Sequence, residues 1–342
     1  MFAAVSATPR PLHVAFLGCG FITGVHSRHL RALAGGGDAV LASYASRDAG
    51  RAEATRERHG GVRAFTGYEA ALADPDVEAV VVAVPPAHHL DLVLAALEAG
   101  KHVLVEKPAF LTAADYERVI AARDAAGPGR VVLVGENDHY KPLAVTLRAL
   151  LAQGAVGELV MASFVTVADK AKAAEDWRND EALAGGDAFF EEGIHWLHLA
   201  DSLGPRITRI TGHRPALAAD VEQLADRRSR SRLVSFEYDS GAVGALFYSR
   251  EVPSLLQGLR VSKLWGREGV ITFESNGAAV VVRSRHRLRG APRVVLPGYR
   301  DIRGYQAMYR DLVRSVRAGT QPEMSLERAL SDHRLMEEAG VA

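Results

Sequence analysis

The sequence has two short stretches whose residue types could take part in proton transfer, and the first is Glu106-Lys107-Pro108. It follows the apolar, β-branched run Val103 to Val105, which is typical of a strand buried on both faces of a parallel sheet. Ligands gather at the carboxyl ends of such strands, so the ammonium group of Lys107 would stand where a cofactor meets a substrate. Pro108 restricts the backbone before it and permits a cis bond. A solvated Glu-Lys pair that closes the strand is the alternative.

The second stretch covers residues 185–198, in which Glu191 and His195 are four positions apart and His198 follows. On a helix the first two side chains share a face, and His198 lies close to that face. The spacing leaves three interpretations open. They are a metal site of one carboxylate and two histidines, a general acid or base oriented by a carboxylate, and a structural pair packed beneath a sheet.

A glycine turn near the start of the chain has the pattern of a phosphate-binding loop. The apolar strand predicted at Leu12 to Leu17 is followed by Gly18-Cys19-Gly20 and by a helical stretch. Such glycines let the backbone approach a pyrophosphate, which then sits at the positive end of the helix. The third fingerprint position holds Thr23, with Gly24 one place later. This departure predicts looser packing of helix on strand but leaves the phosphate turn intact.

The end of the second strand bears on the choice of dinucleotide. Val40 to Ala45 is predicted as a strand and is followed by Ser46-Arg47-Asp48. Sites for NAD place an acid here for the ribose 2′-hydroxyl, whereas sites for NADP place an arginine nearby for the 2′-phosphate. Ser46 and Arg47 suit a phosphate, while Asp48 could serve a hydroxyl. We therefore predict NADP as the preferred cofactor, with NAD as the alternative.

These motifs lie on two kinds of sheet, and the fold class predicted is α/β. Strands and helices alternate as far as residue 135, which predicts a doubly wound parallel sheet over residues 11–135, behind a flexible tail at 1–10. Residues 136–342 are predicted as a second, α+β domain with an open, mostly antiparallel sheet, because strand-like runs there follow one another closely. The helix predicted at Tyr305 to Ala318 returns toward the first domain. The predicted strands of the second domain are Leu159 to Val167, Ile207 to Gly212, Leu233 to Tyr238, Val243 to Tyr248, Leu259 to Leu264, Val270 to Phe273 and Ala279 to Val282.

Size, charge and cysteine content limit the class of protein. The 342 residues are 48% hydrophobic, which suffices for two domains with full cores. Lysine plus arginine number 41 and aspartate plus glutamate number 41, so the chain lacks the basic footprint of a nucleic-acid binder. Cys19 is the single cysteine, which excludes an internal disulfide and predicts a reducing cytoplasm. Residues 1–10 lack the pattern of a signal peptide, and no apolar run approaches the roughly 20 residues of a membrane span.

Three motifs in this order resemble one family. They are Gly18-Cys19-Gly20, then Glu106-Lys107-Pro108, then Trp177-Arg178 ahead of Gly185-Gly186 with Glu191 and His195. Together they resemble the glucose–fructose oxidoreductase and inositol dehydrogenase family, Gfo/Idh/MocA, from about Leu12 to Glu338. The resemblance implies a Rossmann domain, a nicotinamide cofactor, no metal, and hydride transfer at a secondary alcohol of a sugar, cyclitol or related polyol. It also implies a homodimer or homotetramer through the open sheet.

The resemblance further implies roles for individual residues. Lys107 corresponds to the lysine that contacts the reacting hydroxyl and the nicotinamide ribose, and His195 to the acid/base histidine. Glu191 stands where the family usually has aspartate, so its carboxylate is moved outward by one methylene. These three are the predicted catalytic residues. The predicted cofactor contacts are Gly18, Gly20, Phe21, Ile22, Ser46, Arg47, Val84, Pro85, His89, Glu106, Lys107, Asn137, Trp177, Arg178 and Tyr305. The predicted substrate contacts are Lys107, Tyr140, Arg178, Asp187, Glu191 and His195.

Two alternatives to a dehydrogenase follow from the same resemblance. Some relatives hydrolyse glycosides by a transient oxidation in which the nicotinamide is recycled in place. Others are non-catalytic and sense cofactor or sugar through the same fold. The presence of both Lys107 and His195 favours catalysis over sensing.

Overall fold

The computed structural model describes two compact units. The first consists of the described residues as far as Phe110, together with Ala114–Gly135 and Tyr305–Ala329. The second consists of Leu111–Ala113, the described residues between Glu136 and Gly304, and those from Leu330 onward. The residues described are 10–33, 38–169, 177, 180–215, 231–253, 260–274, 277, 279–285 and 291–340.

The first unit is built on a parallel sheet with strand order β3-β2-β1-β4-β5-β6. All of its strand pairs are parallel, with helices in the connections, which confirms the doubly wound prediction. The strands are β1 (Leu12–Leu17), β2 (Val40–Ser46), β3 (Ala64–Thr66), β4 (Ala79–Val82), β5 (His102–Val105) and β6 (Val132–Val134). The helices between them are α1 (Phe21–Arg31), α2 (Ala49–His59), α3 (Tyr68–Ala73), α4 (His89–Glu98) and α5 (Ala113–Ala125).

The register of this sheet brings several polar loops to one edge. Residues of β1, β4 and β6 are buried along the whole strand, because helices cover both faces of the sheet. The final residues of neighbouring strands lie side by side, so the loops that follow them open at the same carboxyl edge. The paired strand ends are Leu17 with Ala45 and with Val82, Val82 with Val105, and Val105 with Val134.

A helix from the end of the chain completes the first unit. It is α9 (Tyr305–Ala318), with the bounds predicted from the sequence. Its apolar stripe buries Met308, Tyr309 and Leu312, and Tyr305 at its start is 6% exposed. Residues 305–329 therefore belong to the first unit although they follow the second one in sequence.

The second unit is built on an open sheet with strand order β14-β13-β12-β11-β7-β10-β9-β8. β7 and β10 are parallel and the other pairs are antiparallel, which confirms the mostly antiparallel prediction. The strands are β7 (Leu159–Val167), β8 (Ile207–His213), β9 (Ser231–Tyr238), β10 (Val243–Ser249), β11 (Val261–Gly266), β12 (Gly269–Glu274), β13 (Val280–Ser284) and β14 (Arg293–Val295). The remaining helices are α6 (Pro142–Ala152), α7 (Glu181–Ala184), α8 (Ala188–Asp201) and α10 (Leu326–Glu338).

One face of this sheet is packed and the other is open. Along β9, Val234, Phe236 and Tyr238 are buried while the residues between them are exposed, as the two-residue period of a strand requires. The buried face packs in one apolar core with Phe189 and Phe190 of α8. The opposite face exposes Met161, Leu233, Val243, Phe247 and Val261.

In the part of the chain that the structure describes, none of the helices is both long enough and apolar enough to span a lipid bilayer.

Candidate active site

Gly18 closes the turn after β1 at a point where only glycine fits. Its φ is +114°, and a Cβ there would stand 2.5 Å from the carbonyl oxygen of Ala83. The Thr23 side chain is fully buried and its hydroxyl donates to the carbonyl oxygen of Gly18 at 2.8 Å. The packing expected to loosen at Thr23 is instead filled, because this hydroxyl ties the first turn of α1 to the glycine turn.

The N-terminus of α1 is suited to an anion. Gly20 is its cap residue, and neither a capping side chain nor an acidic residue stands in the first turn. The amides of this turn are therefore available to a phosphate at the positive end of the helix. Phe21 is 79% exposed beside them, and Ile22 is half-buried.

The end of β2 carries the groups predicted to read the ribose. Ser46 is buried and its Oγ accepts from the Asp48 amide at 3.2 Å, while Arg47 is exposed. Asp48 caps α2 by accepting from the amide of Arg51 at 3.0 Å. Burial raises the pKa of the Tyr68 phenol, and the nearby guanidinium groups of Arg47 and Arg51 oppose that rise. Neither arginine has a carboxylate partner among the described residues, so both guanidinium charges are available at this strand end.

A buried chain of hydrogen bonds holds the acid of the Glu106-Lys107-Pro108 motif. Burial raises the pKa of the Tyr309 phenol, so it stays protonated and donates to His26 Nδ1 at 2.7 Å. His26 Nε2 then donates to Glu106 Oε1 at 2.7 Å. Burial works against ionisation of Glu106, but His26 and Lys107 outweigh it and lower its pKa. The other oxygen of Glu106 accepts from the amide of Lys107 at 3.3 Å.

These contacts hold Glu106 in place beside Lys107, and its predicted contact with the cofactor stays a prediction. Lys107 itself is half-buried, and the peptide bond to Pro108 is cis.

Two further cofactor contacts were predicted in the first unit, at His89 and Tyr305. His89 is fully buried, with its ring nitrogens at 2.8 Å from the Val84 carbonyl oxygen and 3.0 Å from that of Ala109, and burial lowers its pKa.

His89 therefore lies between the loops that follow β4 and β5, and its single N–H donates to one of these two carbonyl groups. Tyr305 is buried and its ring packs on His26 and His29 at centroid distances of 4.8 and 5.0 Å. Both side chains thus serve the framework of the first unit. Val84 and Pro85, predicted beside them, are half-buried at the end of β4.

In the second unit His195 of α8 is held by a carboxylate that sequence reasoning did not choose. His195 Nδ1 lies 2.6 Å from Glu136 Oε1 and 2.7 Å from Glu136 Oε2. The Glu136 side chain is 2% exposed and that of His195 is 18% exposed. Among the described residues His195 Nε2 has no hydrogen-bond partner, so this nitrogen is the one that can exchange a proton with a ligand.

Glu191, predicted to orient His195, is drawn toward an arginine instead. Its Oε2 is 3.4 Å and 3.5 Å from the two Nη atoms of Arg250. Glu192 accepts from Arg250 Nε at 2.6 Å. Burial opposes ionisation of Arg250, but Glu192 and Glu191 raise its pKa. The prediction that Glu191 binds His195 Nδ1 was therefore wrong, because Glu136 makes that contact. Glu191 shares a face of α8 with His195, but Arg250 also lies at that face and draws the carboxylate of Glu191.

Asp187, predicted as a substrate ligand, is the cap of α8. Its Oδ1 accepts from the amides of Phe189 at 2.9 Å and Phe190 at 3.0 Å. Its Oδ2 accepts from Arg232 Nη2 at 2.6 Å, and Arg232 has a side chain that is only 1% exposed. Both oxygens of Asp187 are thus engaged in folding the second unit.

The remaining histidine of this helix, His198, is a core residue. Its Nδ1 donates to Asp332 Oδ2 at 2.8 Å, and its Nε2 accepts from His139 Nδ1 at 2.9 Å. His198, His139 and Asp332 are all buried. Both ring nitrogens of His198 are therefore engaged, which argues against the alternative of one metal ligand set made by Glu191, His195 and His198.

The 137–140 turn (Asn137–Tyr140) carries two further predicted residues. The Asn137 amide donates to the carbonyl oxygen of Arg303 at 2.7 Å, and Tyr140 is buried with its ring edge-on to His139. Trp177 is half-buried. The predicted contact at Arg178 lies outside the described residues.

A small pocket lies next to His195. It is open to solvent, and the space it offers, with the open solvent at its mouth included, is about 310 Å³. It is lined by Asp138, Lys141, Leu143, Ala144, His195, Trp196 and Leu199. Asp138 and Lys141 form an ion pair at 2.6 Å across the 137–140 turn. Potential ligand atoms of Glu136, Asp138 and His195 lie within 4.8 Å of one another. Within this cluster Glu136 pairs with His195, and Asp138 pairs with Lys141.

Two family models match successive parts of the sequence. Residues 12–135 match the GFO_IDH_MocA model, described as the oxidoreductase family with an NAD-binding Rossmann fold. Residues 144–272 match the GFO/IDH/MocA C-terminal domain. The chain belongs to the GFO/IDH/MocA oxidoreductase family. The family resemblance predicted from the sequence is thereby confirmed.

Two named enzymes resemble parts of the chain. It is 34% identical to 1,5-anhydro-D-fructose reductase of Ensifer adhaerens over 163 residues, 47% of each protein. It is 36% identical to inositol 2-dehydrogenase of Acidothermus cellulolyticus over 156 residues, 46% of this chain and 45% of that enzyme. The chain thus spans about half the length of these relatives.

A solved family structure shares the fold across nearly the whole chain. Levoglucosan dehydrogenase, in complex with NADH and levoglucosan, superposes with a TM-score of 0.83 at 19% sequence identity. The match covers 97% of this chain and 98% of that one. At this identity the comparison establishes the architecture of both units.

Proposed function

We propose that this GFO/IDH/MocA protein is an NAD(P)-dependent oxidoreductase that transfers a hydride between nicotinamide and a secondary alcohol or ketone of a sugar, cyclitol or related polyol. The observation that carries the proposal is the pairing of His195 Nδ1 with a buried carboxylate, which leaves Nε2 to take or give a proton. A histidine that acts as a general base is commonly held by a carboxylate in this way. The names of the partial relatives support the substrate class.

In the proposed reaction, His195, Lys107 and Glu106 have separate roles. When bound, the nicotinamide supplies or accepts the hydride. His195 Nε2 takes the proton from the hydroxyl as the carbinol is oxidised, and returns it in the reverse direction. Lys107 stabilises the negative charge that develops on the same oxygen. Glu106, fixed by His26, holds the backbone from which Lys107 projects.

The glycine turn and the N-terminus of α1 fit the diphosphate of a dinucleotide. Gly18 brings the backbone close, and no acidic residue in the first turn of α1 would repel a phosphate. Both features are those that dinucleotide sites use. They support a nicotinamide dinucleotide as the cofactor.

We propose NADP rather than NAD as the preferred dinucleotide. Arg47 and Arg51 present two guanidinium groups without carboxylate partners among the described residues, whereas Asp48 is engaged as the cap of α2. A 2′-phosphate would pair with such groups. In titrations that follow cofactor fluorescence, Arg47→Ala should weaken NADPH binding by about tenfold or more and leave NADH binding unchanged. Arg58→Ala, an exposed arginine at the other end of α2, is the control, and equal or tighter binding of NADH by the unaltered protein would refute the preference.

The proposed activity is tested by an absorbance screen at the reduced-nicotinamide band. The panel contains polyols and keto sugars, including myo-inositol, 1,5-anhydro-D-fructose and levoglucosan, with each cofactor. Net oxidation or reduction of the cofactor is expected with at least one compound. Glycoside cleavage with no net change in cofactor would favour the hydrolase alternative, and cofactor binding without turnover of any compound would favour the sensor alternative.

We also propose that the open face of the second-unit sheet joins two or more copies of the chain, and that the protein works in a reducing cytoplasm without nucleic-acid partners. The exposed apolar side chains on that face support the first statement. The single cysteine and the balanced charge support the second.

A further inference from the structure

We infer that Glu136 is the positioning carboxylate of His195, the role that sequence spacing assigns to Glu191. The inference deepens the proposed function and rests on it for the catalytic meaning of His195. The contact between the two side chains lies wholly within the second unit and does not depend on that proposal.

The geometry of the pair is that of a charge-assisted hydrogen bond. Both carboxylate oxygens of Glu136 lie within 2.7 Å of His195 Nδ1, a short distance of the kind seen when an ionised acceptor takes an N–H proton. Glu136 Oε1 also accepts from the backbone amide of Asp138 at 3.0 Å. The hydrogen bond from the Asp138 amide therefore fixes the carboxylate of Glu136 independently of its contact with His195.

A second contact holds the same two elements in register. His139 of the 137–140 turn meets His198 of α8, three residues beyond Glu136 and His195 in each case. Asp332 accepts from His198 Nδ1, which leaves His198 Nε2 to accept from His139. The turn and the helix are thus joined at two matching points, so rotation of the turn away from His195 would break both.

The consequence for His195 is a defined tautomer. A proton on Nδ1 is held by Glu136, so the lone pair lies on Nε2, the nitrogen without a partner among the described residues. When Nε2 takes up a proton, the imidazolium is stabilised by the adjacent carboxylate. Glu136 thus performs the orienting task that carboxylates perform for catalytic histidines elsewhere.

Glu191 then has a different task. Its carboxylate faces the guanidinium of Arg250, together with Glu192. Glu191 is also a predicted substrate contact, so we expect removal of its charge to change substrate affinity and to leave the Nδ1 hydrogen bond of His195 in place. Glu136→Gln and Glu191→Gln are therefore matched variants. Each removes the charge of one carboxylate on or beside α8, and each keeps the volume of the side chain.

Proton NMR of the full chain without substrate tests the contact directly. The N–H proton in a hydrogen bond to a carboxylate resonates far downfield, and the resonance of His195 is assigned by its loss in His195→Asn. We expect Glu136→Gln to remove this resonance or move it upfield, and Glu191→Gln to leave it in place. Loss in Glu191→Gln, or persistence in folded Glu136→Gln, would overturn the inference. If Glu136→Gln does not fold, the result for Glu191→Gln still decides between the two carboxylates.

Steady-state kinetics on a compound turned over in the absorbance screen provide the second readout. Glu136→Gln should lower kcat by about 10²-fold with little change in KM, because it weakens the base. Glu191→Gln should act mainly through KM. The reverse pattern would assign the positioning role to Glu191. A failed screen would remove the proposed function while the NMR result stands.

Discussion

His195 and Lys107 have different proposed roles in hydride transfer, although both act on the hydroxyl group of the substrate. In the proposed mechanism the histidine takes the proton of the hydroxyl, and the lysine stabilises the negative charge that develops on its oxygen. We therefore expect His195→Asn and Lys107→Met each to lower kcat by about 10²- to 10⁴-fold. Cofactor binding, measured by fluorescence titration, should change little. His213→Asn and Lys263→Met alter exposed residues of the sheet in the second unit and should retain full turnover.

Near-normal turnover in either active-site variant would remove that residue from the mechanism. A large loss of cofactor affinity in His195→Asn would instead indicate that this histidine supports the fold or the dinucleotide. The two readouts together separate a chemical role from a structural one.

Sequence reasoning predicted His195 and Lys107 as the reactive residues, and it paired His195 with Glu191, whereas Glu136 is the carboxylate that lies 2.6 Å from His195 Nδ1. The four-residue spacing of Glu191 and His195 is a local signal, which a sequence displays directly. Glu136 is 59 positions away from His195, and its approach depends on how the 137–140 turn packs on α8. The available signal was a polar Gly135-Glu136-Asn137 segment directly after a buried strand. Such strand ends gather functional groups, but they do not show which helix each group will meet.

At the scale of single elements, β5 begins with a histidine that should make stability depend on pH. Burial, helped by Arg130, lowers the pKa of His102 to about 4, and its Nδ1 accepts from the amide of Val131 at 3.2 Å. The unfolded chain takes up this proton near pH 6.5, before the folded chain does. Stability from this group is therefore complete above pH 6.5 and is lost as the pH falls toward 4.

Urea unfolding at pH 7.5 and pH 5 measures this dependence. His102→Gln should lose less stability between the two pH values than the unaltered protein, because one proton uptake has been removed. His88→Gln changes an exposed histidine and should behave as the unaltered protein does. An equal loss in His102→Gln and the unaltered protein would show that His102 does not couple to folding.

The cap of α8 should matter more than an ordinary helix cap. Asp187→Ala removes the acceptor for the amides of Phe189 and Phe190, a loss of about 1 kcal/mol. It also leaves the buried guanidinium of Arg232 without this carboxylate, which costs about 3 kcal/mol or more. Asp48→Ala removes an exposed cap of α2 and should cost only the first amount. Equal losses in the free energy of unfolding for the two variants would contradict the role given to Arg232.

The long elements were predictable because their patterns are strong. β1, β7 and α9 have the bounds expected from their apolar periodicity. β3 and β14 were missed, since three residues are too few to show a period. The parallel pairing of β7 with β10 was also invisible, because the pattern of a strand says which face is buried and not which strand lies beside it.

At the scale of the whole molecule, the exposed face of the second-unit sheet is the surface expected to join copies of the chain. Val243 lies beside Met161, and Phe247 beside Leu233, so the apolar side chains form a continuous strip. Phe247→Glu should place a charge in that strip and reduce the oligomer to monomers in sedimentation velocity. Leu296→Glu, at an exposed apolar residue outside the strip, should leave the oligomer intact. A monomeric unaltered protein would contradict the proposed assembly.

The architecture of the whole chain followed from the order of its patterns, which change from alternating strands and helices to closely spaced strands. The assignment of residues 305–329 to the first unit did not follow from order alone. It depends on contacts between distant residues, such as Tyr309 with His26. The sequence shows that α9 has a buried face, but it does not show which core that face enters.

The transfer of a labelled hydride is a direct test of the proposed dehydrogenase activity. Polyols deuterated at their carbinol carbons are incubated with the protein and oxidised NADP or NAD, and the cofactor is then analysed by mass spectrometry. The account predicts reduced cofactor that carries one deuterium, and almost none with His195→Asn. Reduced cofactor without deuterium, or cofactor left oxidised with every polyol, would contradict it.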